Sequence, residues 1–402
     1  MGRMDDPAYI GAIALGGVVF NILYWGFGFL RPGTTGLTAQ AYGAKDYPTA
    51  YKYFLQAFGL SLIFGLGLLA FHVPLGKFAY SLLNGSKEVK ELSYTYFSIR
   101  VLAAPAVIAL FAFRGWFFGM QNAIAPMVLT IVSNVINIFL SWYLVMEMNM
   151  SVKGVAIGTV VAQYFTLLLA FGILLYRHKT QVFKYIEKQT FQLSKMKRFL
   201  NVNRDMFLRN IGMILVFSFF TNYSAGVSEE YLAVNEILLQ LFYFMSYSVD
   251  GFAYAAESLV GRYIGEKSAE KVKVVVRKTL YYGLGFGSLF TVLYLFFGDA
   301  CMRVFTDNQE LITTARPYYK WLALVALCGA LAFIWDGVYG GATASVELRN
   351  AMFFSVVSFF VVFYAIKPFY PHHAVWIGMI AFMLARSLFQ IFFYQKRIVG
   401  RL

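Results

Sequence analysis

The chain has 402 residues, of which 59% are apolar or aromatic and 13% are charged, against roughly 45–50% apolar and about 25% charged in a soluble domain. Disorder, collagen and a disulfide-rich secreted scaffold are excluded. So is an ordinary cytosolic enzyme, because uncharged runs such as Ala123–Met146 and Gly154–Tyr176 are each long enough to cross a hydrocarbon core of about 30 Å. The net charge of +14 lies mostly between the apolar runs, the pattern of membrane topology, and argues against a nucleic-acid partner.

In chain order the apolar runs predict eleven spans with cores at Tyr9–Leu30, Phe54–Leu75, Tyr94–Phe113, Ala123–Met146, Gly154–Tyr176, Phe207–Ala225, Tyr231–Leu259, Leu280–Phe297, Trp321–Ile334, Ala351–Ile366 and Val375–Phe393. The fold class is an all-α polytopic bundle. No cleavable signal peptide is read at the start, which has neither a basic n-region nor a small-residue cleavage site. One alternate set of loops carries Arg31, Lys45, Lys52, Arg114, the runs Arg177–Arg209 and Arg262–Lys278, Arg349, Lys396, Arg397 and Arg401. The other carries Lys77, Lys87, Lys90, Lys153, Arg303, Arg316, Lys320 and Lys367. The first set is about three times richer, so it is assigned to the cytoplasm, together with the C-terminus.

The chain repeats itself at a constant offset of 222 residues. Gly43, Lys45, Phe64 and Gly65 match Gly265, Lys267, Phe286 and Gly287, and Leu102, Ala104, Phe111, Gly115 and Gly119 match Leu324, Ala326, Phe333, Gly337 and Gly341. Two homologous lobes follow, residues 1–176 and 205–402, joined by a basic cytoplasmic linker at 177–204. They run in the same membrane direction, related by an axis along the membrane normal. The same offset places the partner of Phe207–Ala225 before the start of the chain, with only Met1–Arg3 remaining of it. The expectation is a six-plus-six design shortened to five-plus-six; the alternative is a design of eleven spans.

Charges inside spans are costly and are functional candidates by default. Asp250 and Asp336 are the deepest carboxylates and are read as the proton or cation coupling groups, Asp336 alternatively as a carboxylate near the cytoplasmic end of its span that pairs locally. Glu236, Gln240, Tyr243, Tyr247, Asp250, Tyr254 and Glu257 recur at steps of four and three, which puts all seven on one helix face. Such a face lines a water-filled cavity or a helix interface. In the first case its carboxylates and aromatic rings suit small cationic amphipathic substrates; in the second it holds the bundle by interhelical hydrogen bonds. Tyr243, Tyr247, Tyr254, Glu257, Asn235 and Arg114 are the candidate cavity and gate residues. Arg114 is the repeat partner of Asp336, so equivalent positions carry opposite charges. Pro32, Gly33 and Gly36 in Pro32-Gly33-Thr34-Thr35-Gly36 form a candidate helix break or hinge, or else a plain helix end. Pro105 and Pro126 are further candidate kinks.

No histidine set has a metal or triad spacing, no phosphate loop occurs, and Cys301 and Cys328 form no ligand pattern. No enzyme activity, cofactor or metal is therefore expected, and the Asn84-Gly85-Ser86 triplet is a possible glycosylation acceptor on the outer side.

Three stretches resemble the MATE multidrug exporters, in particular their DinF-like branch. Gly33–Gly43 resembles the second-helix signature, Asp250–Glu257 the eighth-helix motif, and Asp336-Gly337 through Gly341-Ala342-Thr343 the tenth-helix motif. The resemblance covers the whole chain. It implies twelve helices in two six-helix bundles around a V-shaped cavity, and export of cationic amphipathic compounds in exchange for H+ or Na+. It also implies a bacterial-type cytoplasmic (inner) membrane location and a lipid-embedded monomer. In that branch a coupling aspartate lies on the first helix, before this chain begins; Asp5 and Asp6 fall in the loop after it. The competing readings are a lipid-linked oligosaccharide flippase of the same superfamily, which calls for a basic cavity, and a membrane-embedded transferase, which calls for a clustered His, Asp or metal set.

Overall fold

Helices account for nearly all of the residues that the computed structural model describes, which are 7–83, 86–178 and 181–401. Met1–Arg3, Asp5, Asp6, Asn84 and Gly85 lie outside them. In order the helices are α1 (Pro7–Phe27), α2 (Leu30–Gly43), α3 (Tyr47–Ala70), α4 (His72–Leu82), α5 (Lys87–Arg100), α6 (Ala104–Gly119), α7 (Ile124–Met146) and α8 (Ser151–His178). They continue as α9 (Leu193–Val227), α10 (Glu229–Gly265), α11 (Ala269–Phe296), α12 (Gly298–Arg303), α13 (Gln309–Ala315), α14 (Tyr319–Gly341), α15 (Ser345–Ile366) and α16 (Pro371–Arg397). Eleven helical stretches among the described residues are long and apolar enough to span a bilayer. The second begins earlier than its apolar core suggested, because Asp46 caps α3 by accepting from the Thr49 amide at 3.2 Å. It also ends earlier, at Ala70, where α4 starts a separate helix.

The chain divides into two compact units. One holds the described part of Met1–Thr38 together with Asp46–Leu200; the other holds Ala39–Lys45 and Asn201–Leu402. In the first, α3 packs on α6, α7 on α8, and α5 on α1 and α8. In the second, α10 and α11 pack on α14, and α16 packs on α14 and α15. The α3–α6, α7–α8 and α6–α8 pairs of the first unit return as α11–α14, α15–α16 and α14–α16 of the second.

The repeat extends to single atoms. Lys45 and Lys267 (45 + 222) both take a left-handed backbone, φ 57° and 55°, where a helix ends, and Gln121 and Thr343 (121 + 222) do the same at 62° and 51°. A Cβ added to Gly115 would lie 2.5 Å from the Arg31 carbonyl oxygen, and one added to Gly337 would lie 2.2 Å from that of Ala253, which is 31 + 222. Only glycine allows two helix backbones to approach so closely.

Two of the three candidate kinks fall at helix starts. Pro126 sits in the first turn of α7, where a missing amide hydrogen costs nothing, whereas Pro105 lies within the continuous helical stretch Lys87–Gly119, just after the 3-10 turn Val101–Ala103 that joins α5 to α6. Pro32 is the third residue of α2, and Gly33 and Gly36 lie inside regular helix. The break itself comes one turn earlier, at Gly28–Phe29. A proline ring excludes the carbonyl four residues before it, and the Gly28 oxygen accepts instead from the Arg31 amide at 3.3 Å.

Candidate functional site

The second unit buries a knot of charge around Asp336 on α14. Oδ1 of Asp336 accepts from Nε of Arg386 at 3.0 Å and from Nε2 of Gln390 at 2.7 Å, both on α16. Oδ2 pairs with the guanidinium groups of Arg386 and of Arg209 on α9. Arg386 is 1% exposed. It also feels the charge of Asp250 on α10 and the like charge of Arg209. Two guanidinium groups and two carboxylates from four helices thus share one region, and their formal charges cancel. Buried ions persist only when they are compensated in this way.

Glycine brings α10 to this knot. Gly337 meets the Ala253 backbone, and a Cβ on Gly341 would lie 2.2 Å from the Glu257 carbonyl oxygen. Gly340 leaves room for the Glu257 side chain, whose Cγ would lie 3.4 Å from an added Cβ. Glu257 is 2% exposed. The tail of α2 belongs to the same unit: Gln40 Nε2 donates to the Gly341 carbonyl at 3.0 Å and to Thr343 Oγ1 at 3.1 Å.

The α10 stripe runs away from the knot and becomes more open. Asp250 and Tyr254 are half-buried, while Tyr247 is 71% exposed. Tyr243 packs against Phe217 and Phe242 and stacks on Tyr247 with ring centroids 6.5 Å apart. Glu236 near the far end accepts from Thr221 at 3.0 Å. Asp250, Asp336 and Glu257 therefore share one region with the tyrosines alongside.

Two expected site residues lie elsewhere. Asn235 is 1% exposed and about 22 Å along the helix from Asp250, one residue off the stripe. Its amide donates to Ser224 and accepts from Trp376 Nε1, each at 2.9 Å. It ties α9, α10 and α16 together, and this structural tie replaces its reading as a cavity residue. Arg114 is half-buried on α6 in the first unit.

Arg209, Arg386 and Gln390 were missed. Arg209 reads as the end of the basic loop run, yet α9 begins sixteen residues before it, at Leu193. Arg386 and Gln390 stand one turn apart inside the last apolar run, and an arginine at that depth is itself the signal of a buried acidic partner. Among the described residues no cluster of His, Cys, Asp and Glu is arranged to hold a metal ion, and Cys301 and Cys328 are not joined.

The MatE family signature matches residues 1–143 and 206–368. The chain is 33% identical over 390 residues to DNA damage-inducible protein F of Escherichia coli, covering 96% of this chain and 84% of that protein. It is 23% identical over 416 residues to the probable multidrug resistance protein NorM of Thermotoga maritima, covering 97% of this chain and 87% of that one. Its fold superposes, with a TM-score of 0.87 and 18% identity, on a multidrug resistance MATE family transporter of the MOP superfamily in an outward-facing conformation, over 99% of this chain and 90% of the other.

Proposed function

Starting from the fact that the chain belongs to the MatE family, a family of membrane transporters and not of enzymes, we propose that it is a secondary active multidrug efflux antiporter. It exports small cationic amphipathic compounds by alternating access, in exchange for H+ or Na+. The observation that carries this reading is the α10 face, on which tyrosines and carboxylates lead from an open end past the half-buried Asp250 to the buried Arg386–Asp336 pair. Tyrosine faces attract organic cations, and carboxylates add ionic attraction.

Coupling follows from charge balance. With both aspartates ionised, the Asp250 carboxylate and the tyrosine faces beside it favour a cation. A proton or sodium ion on Asp250 removes that negative charge, so the region no longer favours the drug, which is released. In this scheme Asp336 is the fixed counter-charge that positions Arg386, and Asp250 is the exchanging group. The same reading takes residues 177–204 as the connection between two lobes, with the C-terminus in the cytoplasm of a bacterial-type cell and the protein acting as a monomer. The flippase alternative needs uncompensated positive charge for a pyrophosphate, whereas the two guanidinium groups here face two aspartates.

Ethidium efflux from cells lacking their own exporters tests the proposal. Expression of the parent should lower cellular ethidium, a protonophore or sodium removal should abolish the effect, and Asp250→Asn should weaken it. Full efflux by Asp250→Asn would remove Asp250 from coupling. No efflux by a parent protein shown to be folded in the membrane would sink the multidrug reading.

A further inference from the structure

The segment between α8 and α9 is not a free loop. Val182 and Thr190 are buried. Thr190 accepts from Gln56 Nε2 of α3 at 3.0 Å through its carbonyl. The Tyr185 ring stacks on Tyr51 with centroids 5.8 Å apart, and Phe191 lies over Gly59. Between this strap and the first three turns of α3 lies a cavity of about 160 Å³ lined by Thr49, Lys52, Tyr53, Gln56, Glu187, Gln189, Thr190 and Lys195.

Three properties of this cavity point to a ligand. First, Lys52 and Lys195 both line it, and neither has a carboxylate within ion-pair distance among the described residues. Lys52 lies 5.9 Å from the Tyr185 ring, and Lys195 is held by Gln189 Oε1 at 2.8 Å. Second, two lysines against Glu187 leave one net positive charge, 2 − 1 = +1. Third, Gln56 is 3% exposed and its Oε1 has no hydrogen-bond donor, whereas a buried acceptor normally has one. The α3 N-terminus is not part of the case, because Asp46 already caps it.

A ligand that satisfies all three is a phosphodiester anion carrying a hydrogen-bond donor. The cavity sits where α3 enters the apolar span and beside the basic strap, at headgroup depth and on the side that the basic residues mark as cytoplasmic. We propose that it binds the headgroup of an anionic glycerophospholipid of the phosphatidylglycerol type. The phosphate would lie between Lys52 and Lys195, and a headgroup hydroxyl would donate to Gln56 Oε1. The bound lipid would then pin the strap to α3 and brace the connection into α9.

Native mass spectrometry of the purified full chain tests this, with thermal unfolding measured alongside. Phosphatidylglycerol should bind and raise the unfolding midpoint. Phosphatidylethanolamine, zwitterionic but with donors, should bind less well, and phosphatidylcholine, which offers a phosphate and no donor, weakest. Each lysine near an anionic surface contributes about a factor of five, so Lys52→Gln with Lys195→Gln should weaken phosphatidylglycerol binding about 25-fold. Lys77→Gln with Lys153→Gln should leave it unchanged. Equal binding of phosphatidylglycerol and phosphatidylcholine by the parent protein would overturn the proposal even if the lysine variant failed to fold. So would unaltered binding in a folded Lys52/Lys195 variant. Equal protection by inorganic phosphate or glycerol phosphate would overturn the lipid assignment and make the occupant a soluble phosphate ester.

Discussion

Replacing Gly337 by alanine places a methyl carbon 2.2 Å from the Ala253 carbonyl oxygen, 2.9 Å from its carbon and 3.0 Å from its Cα. All three are backbone atoms of a neighbouring helix, so no side-chain rotation relieves the clash, and α10 must move away from α14. Overpacking of this kind costs about 1–3 kcal/mol, and contact with backbone puts it near the upper end. Against it stands the helix propensity gained on replacing glycine by alanine, up to about 1 kcal/mol. The net expectation is a loss of about 2 kcal/mol. Gly251 on α10, with nothing within 4 Å of its added Cβ, is the matched control. Gly251→Ala should keep the propensity gain and stabilise by about 0.4–1 kcal/mol. The variants should therefore differ by about 3 kcal/mol, a gap of roughly 6–12 °C in the unfolding midpoint for a cooperative unit of about 200 residues. Thermal unfolding in one detergent measures it. Because α10 carries Asp250, the Gly337 variant should also lose more efflux than the control. Equal stability of the two variants would refute the close backbone contact between α10 and α14, and with it the arrangement that brings Asp250 to Arg386.

Arg386→Met should destabilise the protein by about 3–5 kcal/mol, because Asp336 loses the partner that binds it through two nitrogens; urea or heat unfolding decides, and a stability equal to the parent's would refute the pairing. Asn235→Ala removes the partner of Trp376 and should cost about 1–3 kcal/mol in the same assay while leaving ethidium selectivity unchanged. At the opposite surface, the Arg316 guanidinium beside Asp299 holds that carboxyl below the usual carboxylate range, aided by a hydrogen bond from Tyr319. A depressed folded-state value stabilises the protein above the unfolded pKa of about 3.9 and stops doing so as pH falls through the lowered value. The unfolding midpoint of the parent protein should therefore drop more steeply than that of Asp299→Asn as pH falls below about 4. The difference should be small, since the pair is largely exposed.

The spans, the internal repeat and the α10 stripe were legible in the sequence because each rests on periodicity, and periodicity survives without coordinates. Positions set by tertiary partners were not legible. The Pro32 break was placed on the proline itself, although the steric conflict falls on the carbonyl one turn before it. Arg209 was assigned to a loop because charge density is averaged along the chain, whereas α9 runs through that density into the span. Asn235 sits one residue from the stripe, and only the Trp376 contact separates a packing tie from a cavity lining. The strap at 182–191 has no periodicity, so nothing in the sequence announced that Tyr185, Thr190 and Phe191 dock on α3.

The repeat is also selective. Contacts made by backbone and glycine are duplicated at the 222-residue offset: Gly115 on Arg31 becomes Gly337 on Ala253, and the left-handed turns at Lys45 and Gln121 return at Lys267 and Thr343. The members of the charge knot are not duplicated. The equivalents of Asp250, Asp336, Arg386 and Gln390 are Gly28, Arg114, Tyr164 and Leu168. In the first unit Gly28 stands at the helix break, and the Tyr164 hydroxyl donates to the Leu102 carbonyl at 2.9 Å. Packing residues also differ between the halves, as Asn235 and Trp376 do from Ile13 and Gly154, so the difference at all four members of the knot has either packing or coupling chemistry as its cause. If coupling chemistry is the cause, a charge-conserving substitution within the knot should tell it from packing. Arg386→Lys keeps the total charge and an ion pair to Asp336 and leaves Arg209 in place, so the protein should remain folded, while the pH dependence of ethidium efflux shifts because a point ammonium charge replaces the guanidinium near Asp250. An unchanged pH profile in the folded Arg386→Lys variant would show that the knot holds the helices together and does nothing more.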